Sequence, residues 1–322
     1  MSRPVAVVLG IVGVAVVGVA GFALYMASTI AHPQGNDLKA ERQWEIDHGL
    51  WGDFDLLPQS EYQVKGYDGY ELHCSFVPAE HTSNKYVIIS HGFRSNRYGA
   101  VKYVASYRKL GFNCIIYDIR AHGENAPTTC TLGNLESEDL LTLIQDTHQR
   151  YGKDITLGLH GESMGSATTL SALGKSPDID FAVADCGFAN LYDLLQAGYD
   201  QAHLGALMPV VGAAHRLRYG YDLHDTNPIG ALKNNEVPLC LIHGSGDDLI
   251  APSNSEKLRD ATKGYVELHL VDGAGHAESR EFLGEDAYTE IIAAMQHFSR
   301  RRCIDLKVKA GVRYGKNCTN RW

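Results

Sequence analysis

The sequence predicts an α/β protein whose core is a mostly parallel, doubly wound β-sheet with helices on both faces. Short, continuous apolar runs alternate with segments of helical periodicity over most of the chain. Unbroken apolar strands are typical of strands that are buried on both faces, which is the situation in a parallel sheet covered by helices. The predicted parallel strands cover residues 86–90, 112–118, 155–160, 181–185, 237–242 and 266–271.

A β-hairpin is predicted before these strands. Residues 62–67 and 70–77 alternate between apolar and polar side chains, and Asp68-Gly69 lies between them. Asp-Gly is a favoured pair in tight hairpin turns because both positions tolerate a positive φ. The sheet is therefore expected to begin with an antiparallel pair.

The composition is that of one large globular domain with an acidic surface. The chain has 322 residues, of which 44% are hydrophobic, and its net charge is −9. A chain of this length can bury one large core. The charge argues against a nucleic-acid partner, because such proteins carry basic patches. The seven cysteines show no C-x-x-C spacing and are odd in number, which argues against a disulfide framework; whether Cys303 and Cys318 pair is left open.

The N-terminal segment is apolar enough to cross a membrane. Residues 4–31 carry no charge, and a helix of that length exceeds the roughly 30 Å of a bilayer's hydrocarbon core. Arg3 would lie on the cytoplasmic side, so the rest of the chain is expected outside the cytoplasm. An uncleaved signal anchor, giving a single-pass protein of the cell membrane, is favoured over a cleaved signal peptide, although Thr29-Ile30-Ala31 offers small residues at a possible cleavage site.

Differences in composition along the chain predict its division into four segments. Residues 1–31 are the transmembrane anchor, and 32–59 read as a polar linker. The main domain is predicted over 60–300, with an insertion at about 190–236 that would lie as a small helical cap over the carboxyl edge of the sheet. Residues 301–322 form a basic C-terminal tail, which could lie free or contact an anionic membrane surface.

One motif near the middle of the chain points to nucleophilic chemistry. An apolar strand leads into Gly161-Glu-Ser-Met-Gly165, and small residues then open a helix. This is the G-x-S-x-G pattern in a strand, turn and helix, which lifts the serine out of the sheet edge. Gly161 and Gly165 leave room for the sharp turn around Ser163.

A serine nucleophile needs a base, and the base needs a carboxylate to orient it. His276 follows the last predicted strand in a glycine-rich loop, and Asp247 and Asp248 follow the strand before it. The chain therefore supplies serine, acid and histidine in this order, each after the carboxyl end of a predicted strand. From the residues alone, either aspartate could be the acid.

These motifs together resemble the α/β-hydrolase superfamily, and more narrowly its bacterial, membrane-anchored branch of serine aminopeptidase-like proteins and acyl esterases. The resemblance covers roughly residues 60–300. It implies Asp247 as the acid, through the pattern His-Gly-x-x-Asp-x-x-aliphatic. The proline of that pattern is displaced by one residue to Pro252, and counting back from Pro252 would select Asp248. The resemblance also implies an oxyanion hole formed by the backbone N–H groups of Phe93 and Met164.

The expected activity is that of a serine hydrolase. Ser163, Asp247 and His276 would form a catalytic triad that cleaves a carboxylic ester or a related acyl bond through an acyl-enzyme, without a cofactor. A serine aminopeptidase or thioesterase would use the same residues, and a membrane-anchored protein that only binds its ligand is the alternative outside enzymes. The expected partners are a small acyl substrate and the membrane. Metal binding is not expected, since the histidines lack a ligand spacing such as H-E-x-x-H.

Overall fold

The fold is organised around one eight-stranded β-sheet. The structure is a computed structural model that describes residues 3–297, with side chains described for 13–295. All eight strands predicted from the sequence are present, with ends shifted by a few residues. The strands are β1 (Ser60–Lys65), β2 (Glu71–Val77), β3 (Lys85–Ser90), β4 (Phe112–Tyr117), β5 (Thr156–Glu162), β6 (Phe181–Asp185), β7 (Leu239–Gly244) and β8 (Val266–Val271).

The strand order in the sheet is β1-β2-β4-β3-β5-β6-β7-β8. β2 runs antiparallel to both of its neighbours, and the pairs from β4 onward are parallel. The predicted α/β class with a mostly parallel sheet is therefore confirmed. The parallel strands end at one edge, so the loops that follow them are brought together.

Helices cover both faces of the sheet. They are α1 (Arg3–Ala31), α2 (Leu38–Asp47), α3 (Val101–Lys109), α4 (Leu135–Tyr151), α5 (Met164–Leu173), α6 (Leu191–Gln201), α7 (Met208–Tyr219), α8 (Pro228–Ala231), α9 (Ser253–Ala261), α10 (Ser279–Leu283) and α11 (Glu285–His297).

The core consists of two hydrophobic clusters, one on each face of the sheet. In β3, Ile88 belongs to one cluster, while its neighbours Val87 and Ile89 belong to the other. Successive side chains of a strand point to opposite faces, and here both faces are apolar. This explains why the central strands are continuous apolar runs rather than alternating ones. Cys74, Cys114, Cys130, Cys186 and Cys240 are buried as free thiols.

The segment 32–59, which the sequence analysis treats as a polar linker, is folded onto the domain. It contains α2, whose first turn is capped by the Asp37 side chain, which accepts from the N–H of Ala40 at 2.8 Å. Trp51 and Phe54 follow and are buried in the same cluster as α3 and α11. A few side chains, widely spaced in the sequence, attach this segment to the domain. They form no periodic pattern, so the composition of the segment resembles that of a linker.

The insertion between β6 and β7 forms the helices α6, α7 and α8, as expected for a small cap. The C-terminal part of α1 packs against α7. The predicted basic tail, 301–322, and its two cysteines lie outside the described residues.

Candidate active site

The three side chains predicted to form a triad lie at the carboxyl edge of the sheet. Ser163 directly follows β5, Asp247 follows β7, and His276 follows β8. β5, β6, β7 and β8 are consecutive neighbours in the sheet. Residues more than a hundred positions apart in the chain are therefore brought to one place by the parallel topology.

Ser163 is held in a sharp turn between β5 and α5. Its backbone has φ 53° and ψ −113°, a left-handed conformation that costs free energy for a residue with a side chain. A Cβ atom at Gly161 would collide with the carbonyl of Gly165, and one at Gly165 would collide with the carbonyl of Ser90. Both glycines are thus required by close backbone contacts, as the motif predicts.

His276 contacts the other two members of the constellation. Its Nε2 lies 2.9 Å from Oγ of Ser163, and its Nδ1 lies 2.7 Å from Oδ2 of Asp247. An ionised carboxylate can only accept hydrogen bonds, so Nδ1 carries the ring proton and donates a hydrogen bond to Asp247. Nε2 of the neutral ring is then free to accept the hydroxyl proton of Ser163.

The surroundings of His276 give its imidazole a higher pKa than a histidine has in water. Burial disfavours the charged imidazolium, but the hydrogen bond and negative charge of Asp247 outweigh burial and raise the pKa of His276. A base with a raised pKa binds a proton more strongly. The imidazolium that would form when His276 accepts a proton is therefore stabilised at this position.

Asp247 is fully enclosed and is held by several donors. Its Oδ1 accepts from the N–H groups of Leu249 and Ile250, at 3.0 and 2.8 Å, and Nε2 of His243 lies 3.2 Å from Oδ2. Burial opposes its charge, but the hydrogen bonds from His243 and His276 outweigh burial and hold the pKa of Asp247 well below its usual range. Asp248 is exposed to solvent, so of the two aspartates the geometry joins Asp247 to His276.

The two predicted oxyanion-hole residues belong to elements that lie next to Ser163. Met164 is the first residue of α5, so its N–H has no acceptor within the helix and lies at the positive end of the helix dipole. Phe93 belongs to the loop after β3, and at Gly92 that loop passes close to Ser163. A Cβ atom on Gly92 would lie 3.7 Å from Cβ of Ser163.

The loop that carries Phe93 is attached to the N-terminal segment. The N–H of Asn36 donates to the carbonyl of Arg94 at 3.2 Å, and Nδ2 of Asn96 donates to the carbonyl of Asn36 at 3.1 Å. Glu41 of α2 accepts hydrogen bonds from Ser95 and from Asn36. The segment before the main domain thus supports one side of the site.

A buried lysine that sequence reasoning missed links the turn at Ser163 to the loop that carries His276. Nζ of Lys102, on α3, lies 2.7 Å from Oε2 of Glu162 and 3.2 Å from Oε1 of Glu281, and it donates to the carbonyl of Ala277 at 2.9 Å. Ala277 has a φ of 61° and directly follows His276. Burial disfavours the charge of Lys102, but Glu162 and Glu281 outweigh burial and raise its pKa. No motif in the sequence marks these contacts, which span 60 to 179 positions.

The other histidines near strand ends brace loops. The N–H of Ile119 donates to Nε2 of His91 at 3.0 Å, and the N–H of Arg94 donates to Nε2 of His122 at 3.2 Å. His243 lies beside Ser255 and the carbonyl of Ile250, and His160 lies beside the hydroxyl of Tyr107.

One group of possible metal ligands occurs within the site itself. Cys186, Asp247 and His276 each offer a ligand atom, and these atoms lie within 4.8 Å of one another. Burial raises the pKa of the Cys186 thiol well above its ordinary value, and the carboxylates around it add to the shift. A protonated thiol is a poor ligand, and the pair of Asp247 and His276 is already joined to Ser163. The arrangement therefore fits proton transfer better than metal binding.

Comparisons with known proteins agree with this architecture. The family model described as serine aminopeptidase, S33, matches residues 81–197. The uncharacterized protein YqkD of Bacillus subtilis is 30% identical over 245 residues, which cover 74% of this chain and 80% of YqkD. The uncharacterized protein YfhR of Escherichia coli is 24% identical over 230 residues, which cover 69% of this chain and 75% of YfhR.

Solved structures share the fold. The esterase Pf2001 of Pyrococcus furiosus aligns with a TM-score of 0.62 and 22% identity, covering 76% of this chain and 93% of the esterase. The acylaminoacyl peptidase of Pyrococcus horikoshii aligns with a TM-score of 0.56 and 16% identity, covering 75% of this chain and 41% of the peptidase.

Proposed function

Because the chain belongs to the α/β-hydrolase superfamily and is thus a hydrolase, we propose that it is a serine hydrolase that cleaves carboxylic esters through an acyl-enzyme on Ser163. The observation that carries this proposal is the position of His276, which lies between the hydroxyl of Ser163 and the carboxylate of Asp247 at hydrogen-bond distance from both. A weak alcohol nucleophile needs a neighbouring base that is itself oriented, and this arrangement supplies both.

In the first half of the reaction, Oγ of Ser163 attacks the acyl carbon while Nε2 of His276 takes the hydroxyl proton. The carbonyl oxygen becomes an oxyanion, which the N–H groups of Phe93 and Met164 bind. Asp247 stabilises the imidazolium that forms and does not itself take a proton. The tetrahedral intermediate collapses as the bond to the alcohol breaks, and the imidazolium gives its proton to the leaving oxygen.

The second half repeats these steps with water. His276 removes a proton from a water molecule, whose oxygen attacks the acyl carbon of the ester on Ser163. The same two N–H groups bind the second oxyanion. The carboxylic acid leaves as Oγ of Ser163 regains its proton from His276, and the enzyme returns to its starting state.

Active-site labelling and turnover test this assignment together. The purified protein should bind a fluorophosphonate probe covalently and release p-nitrophenol from short-chain p-nitrophenyl esters, and Ser163→Ala should abolish both. Ser166→Ala is a matched control, since Ser166 is a buried serine one turn away on α5. Labelling that persists in Ser163→Ala would overturn the choice of nucleophile.

Amide hydrolysis by a serine aminopeptidase is the second candidate, because the family model that matches residues 81–197 carries that description. An aminopeptidase uses the same triad, so the site does not separate the two activities. Ester and aminoacyl p-nitroanilide substrates with matched acyl groups separate them by the ratio of their kcat/KM values. A thioesterase would be recognised in the same panel by its turnover of acyl thioesters.

A protein that only binds its ligand is the alternative outside enzymes. Binding alone does not require a serine in a strained turn beside an oriented imidazole, since the strain at Ser163 persists only where the structure compensates for it. Absence of both turnover and probe labelling in a folded sample would favour this alternative.

For the N-terminal helix, we propose an uncleaved membrane anchor with the catalytic domain outside the cytoplasm. The stretch Gly13–Ala31 of α1 is long and apolar enough to cross a membrane and is only 22% buried, unlike the core helix of a globular domain. Ile30 and Ala31, at the possible signal-peptidase site, are buried, and the carbonyl of Ala31 accepts from the N–H of Cys130 at 2.8 Å.

Membrane fractions of cells that express the full chain test the anchor. The protein should stay in the membrane after carbonate extraction, keep the mass of the uncleaved chain, and be digested by protease added from the outer side. Release of a shorter, soluble protein would instead identify a cleaved signal peptide.

A further inference from the structure

The last residue of β6, Asp185, contacts the turn that carries the nucleophile, although β6 supplies no member of the proposed triad. In the sheet, β6 lies between β5, which leads to Ser163, and β7, which leads to Asp247. The backbone carbonyl of Asp185 accepts from the N–H of Ser163 at 2.9 Å, which continues the hydrogen bonding between β5 and β6. The backbone of Ser163 is therefore fixed to the end of β6.

The side chain of Asp185 extends this connection to the element that follows His276. Its Oδ1 accepts from the hydroxyl of Ser279 at 2.9 Å, and its Oδ2 accepts from the hydroxyl of Tyr288 at 3.0 Å. Ser279 is the first residue of α10 and comes three positions after His276. One residue of β6 thus binds the nucleophile turn through its backbone and the segment after the histidine through its carboxylate.

This small cluster of polar side chains is closed to solvent. Asp185, Ser279 and Tyr288 each have an exposed fraction of 0%. A hydrogen bond is stronger in such surroundings than in water, and a buried polar group that loses its partner destabilises the structure. The contact between Ser279 and Asp185 is therefore a firm attachment of α10 to the sheet.

The loop that carries His276 depends on contacts of this kind. Between β8 and α10 the chain has no regular secondary structure. Just after His276 it is attached to other elements through the carbonyl of Ala277, which accepts from Nζ of Lys102 at 2.9 Å, and through Ser279. Ala277 has a φ of 61°, which costs free energy for a residue with a side chain. These attachments compensate for that cost and hold the loop in place.

We propose that Asp185 is a positioning residue that sets the separation of Ser163 and His276, through its backbone on one side and through Ser279 on the other. This inference rests on the proposed serine hydrolase function and adds to it a residue outside the triad. Proton transfer needs Nε2 of His276 within hydrogen-bond reach of Oγ of Ser163, at 2.9 Å here. A displacement of about 1 Å can lower a rate by about 10²-fold.

Removal of one hydroxyl tests the connection. Ser279→Ala deletes the hydrogen bond between α10 and Asp185 and leaves Ser163, His276 and the backbone of β6 unchanged. In the full chain, kcat for a short-chain p-nitrophenyl ester should fall by about 10- to 100-fold while KM changes by less than about twofold, because both half-reactions use His276 and substrate binding does not. The rate of fluorophosphonate labelling should fall with kcat.

Tyr288→Phe is the matched control. It removes the other hydrogen bond from the same carboxylate, but Tyr288 lies on α11, one helix beyond α10. The loop that carries His276 is not attached through Tyr288, so kcat should stay within about twofold of the wild type. Both variants should lose a similar amount of stability in urea unfolding, since each lacks one buried hydrogen bond.

Substitutions of Asp185 itself give a rescue test. Burial, with the help of Glu162, raises the pKa of Asp185 to about 7 despite its two hydrogen bonds, so a neutral side chain of the same shape resembles one of its native forms. Asp185→Asn can still bond to both hydroxyls, each of which can donate or accept, and should keep kcat within about threefold of the wild type. Asp185→Ala should lose as much activity as Ser279→Ala. If Asp185→Ala does not fold, the comparison of Ser279→Ala with Tyr288→Phe decides.

Three results would overturn the role of Asp185. Equal kcat values in Ser279→Ala and Tyr288→Phe, whether both unchanged or both reduced, would do so while leaving the triad assignment intact. A higher KM at an unchanged kcat in Ser279→Ala would show that the contact serves substrate binding instead. A folded wild type that neither turns over esters nor reacts with the probe would contradict the proposed function and this inference with it.

Discussion

At the scale of single residues, the choice between two adjacent aspartates illustrates how the site is built. Asp247 is enclosed and accepts hydrogen bonds from Leu249, Ile250 and His276, whereas Asp248 points into solvent. The carboxylate that is held in place is the one that can fix the imidazole of His276 in a single orientation and tautomer.

We expect Asp247→Asn to lower kcat by about 10⁴-fold. An asparagine side chain can donate to Nδ1 of His276, which favours the tautomer with its proton on Nε2, and that ring cannot accept the proton of Ser163. Ester turnover at saturating substrate measures the effect. Asp248→Asn, with its exposed side chain, should stay within about twofold of the wild type, and an equal loss in both variants would contradict the assignment.

The pH dependence of kcat/KM should report His276. Only the neutral imidazole can accept a proton from Ser163, so activity should be absent at low pH and should rise as pH increases through the pKa of His276. That pKa is raised, despite burial, by Asp247, so the midpoint should lie above about 6.5, the ordinary value for histidine. An ester without ionisable groups gives the profile directly, and a midpoint below 6.5 would contradict the geometry.

Local motifs allow candidate site residues to be selected from the sequence. Ser163, Asp247 and His276 each follow a predicted strand and lie within two residues of a glycine, and the structure brings them together. Lys102 could not be found in this way. Its position on α3 has no motif, and its partners are buried carboxylates from other elements that only the folded chain brings near.

At the scale of elements, helix α3 connects two loops of the site through this one lysine. Lys102 reaches Glu162, which precedes Ser163, and the carbonyl of Ala277, which follows His276. The hydroxyl of Tyr103, the next residue on α3, also donates to Glu162. A buried charge with three partners defines the relative position of the elements that supply them.

Lys102→Met should lower the free energy of unfolding by about 3–5 kcal/mol, because it leaves the Glu162 carboxylate buried without its cation. Urea unfolding of the full chain in detergent micelles measures this loss. Lys109→Met on the same helix is the control: Lys109 is about half exposed, and its ion pairs with Glu285 and Asp286 should contribute less than about 1 kcal/mol.

A double variant separates the lost ion pair from lost packing. If the buried charge causes the loss, Lys102→Met with Glu162→Gln should recover part of the stability that the single variant lacks. A double variant no more stable than Lys102→Met alone would contradict the buried charge of Glu162 as the main cause of the loss.

At the scale of the whole molecule, the class of fold and all eight strands were predictable, whereas the order of the strands was not. Apolar runs identify each buried strand separately. They do not show that β4 lies between β2 and β3 in the sheet, because that order depends on how helices and strands pack. The segment 32–59 is a second example. Its attachment depends on single residues such as Asn36, Glu41 and Trp51, which show no periodicity.

The stability of the whole protein should depend on pH through Glu45 of α2. Burial raises the pKa of Glu45 to about 8, against the opposing effect of Lys102 and with the help of Glu162, Glu41 and Glu281. Its Oε2 atom is buried and has no hydrogen-bond partner among the described residues. Between the ordinary pKa of a glutamate and about 8, the native protein keeps a proton that the unfolded chain releases, so native stability decreases as pH rises.

Glu45→Gln should remove this dependence. Relative to the wild type, the variant should gain stability with increasing pH over that window, by at most about 1.4 kcal/mol per pH unit, and the gain should level off above pH 8. Urea unfolding at several pH values measures it. Asp47→Asn, an exposed change on the same helix, should show no such trend, and parallel curves for Glu45→Gln and the wild type would refute the role of Glu45.

The hydrogen bonds between the N-terminal segment and the loop of Phe93 have a practical consequence for anyone who wishes to study a soluble version. Trimming the chain at residue 60, where the sheet starts, also discards Asn36 and Glu41, which hold Arg94, Ser95 and Asn96. Such a fragment should turn over slowly even if it folds, because the loop that carries Phe93, a proposed donor of the oxyanion hole, loses its support. A cut between residues 21 and 22 removes the stretch of α1 whose described side chains are all exposed, and it keeps these hydrogen bonds together with the packing of the rest of α1 on the core. The folded domain therefore starts well before its first strand.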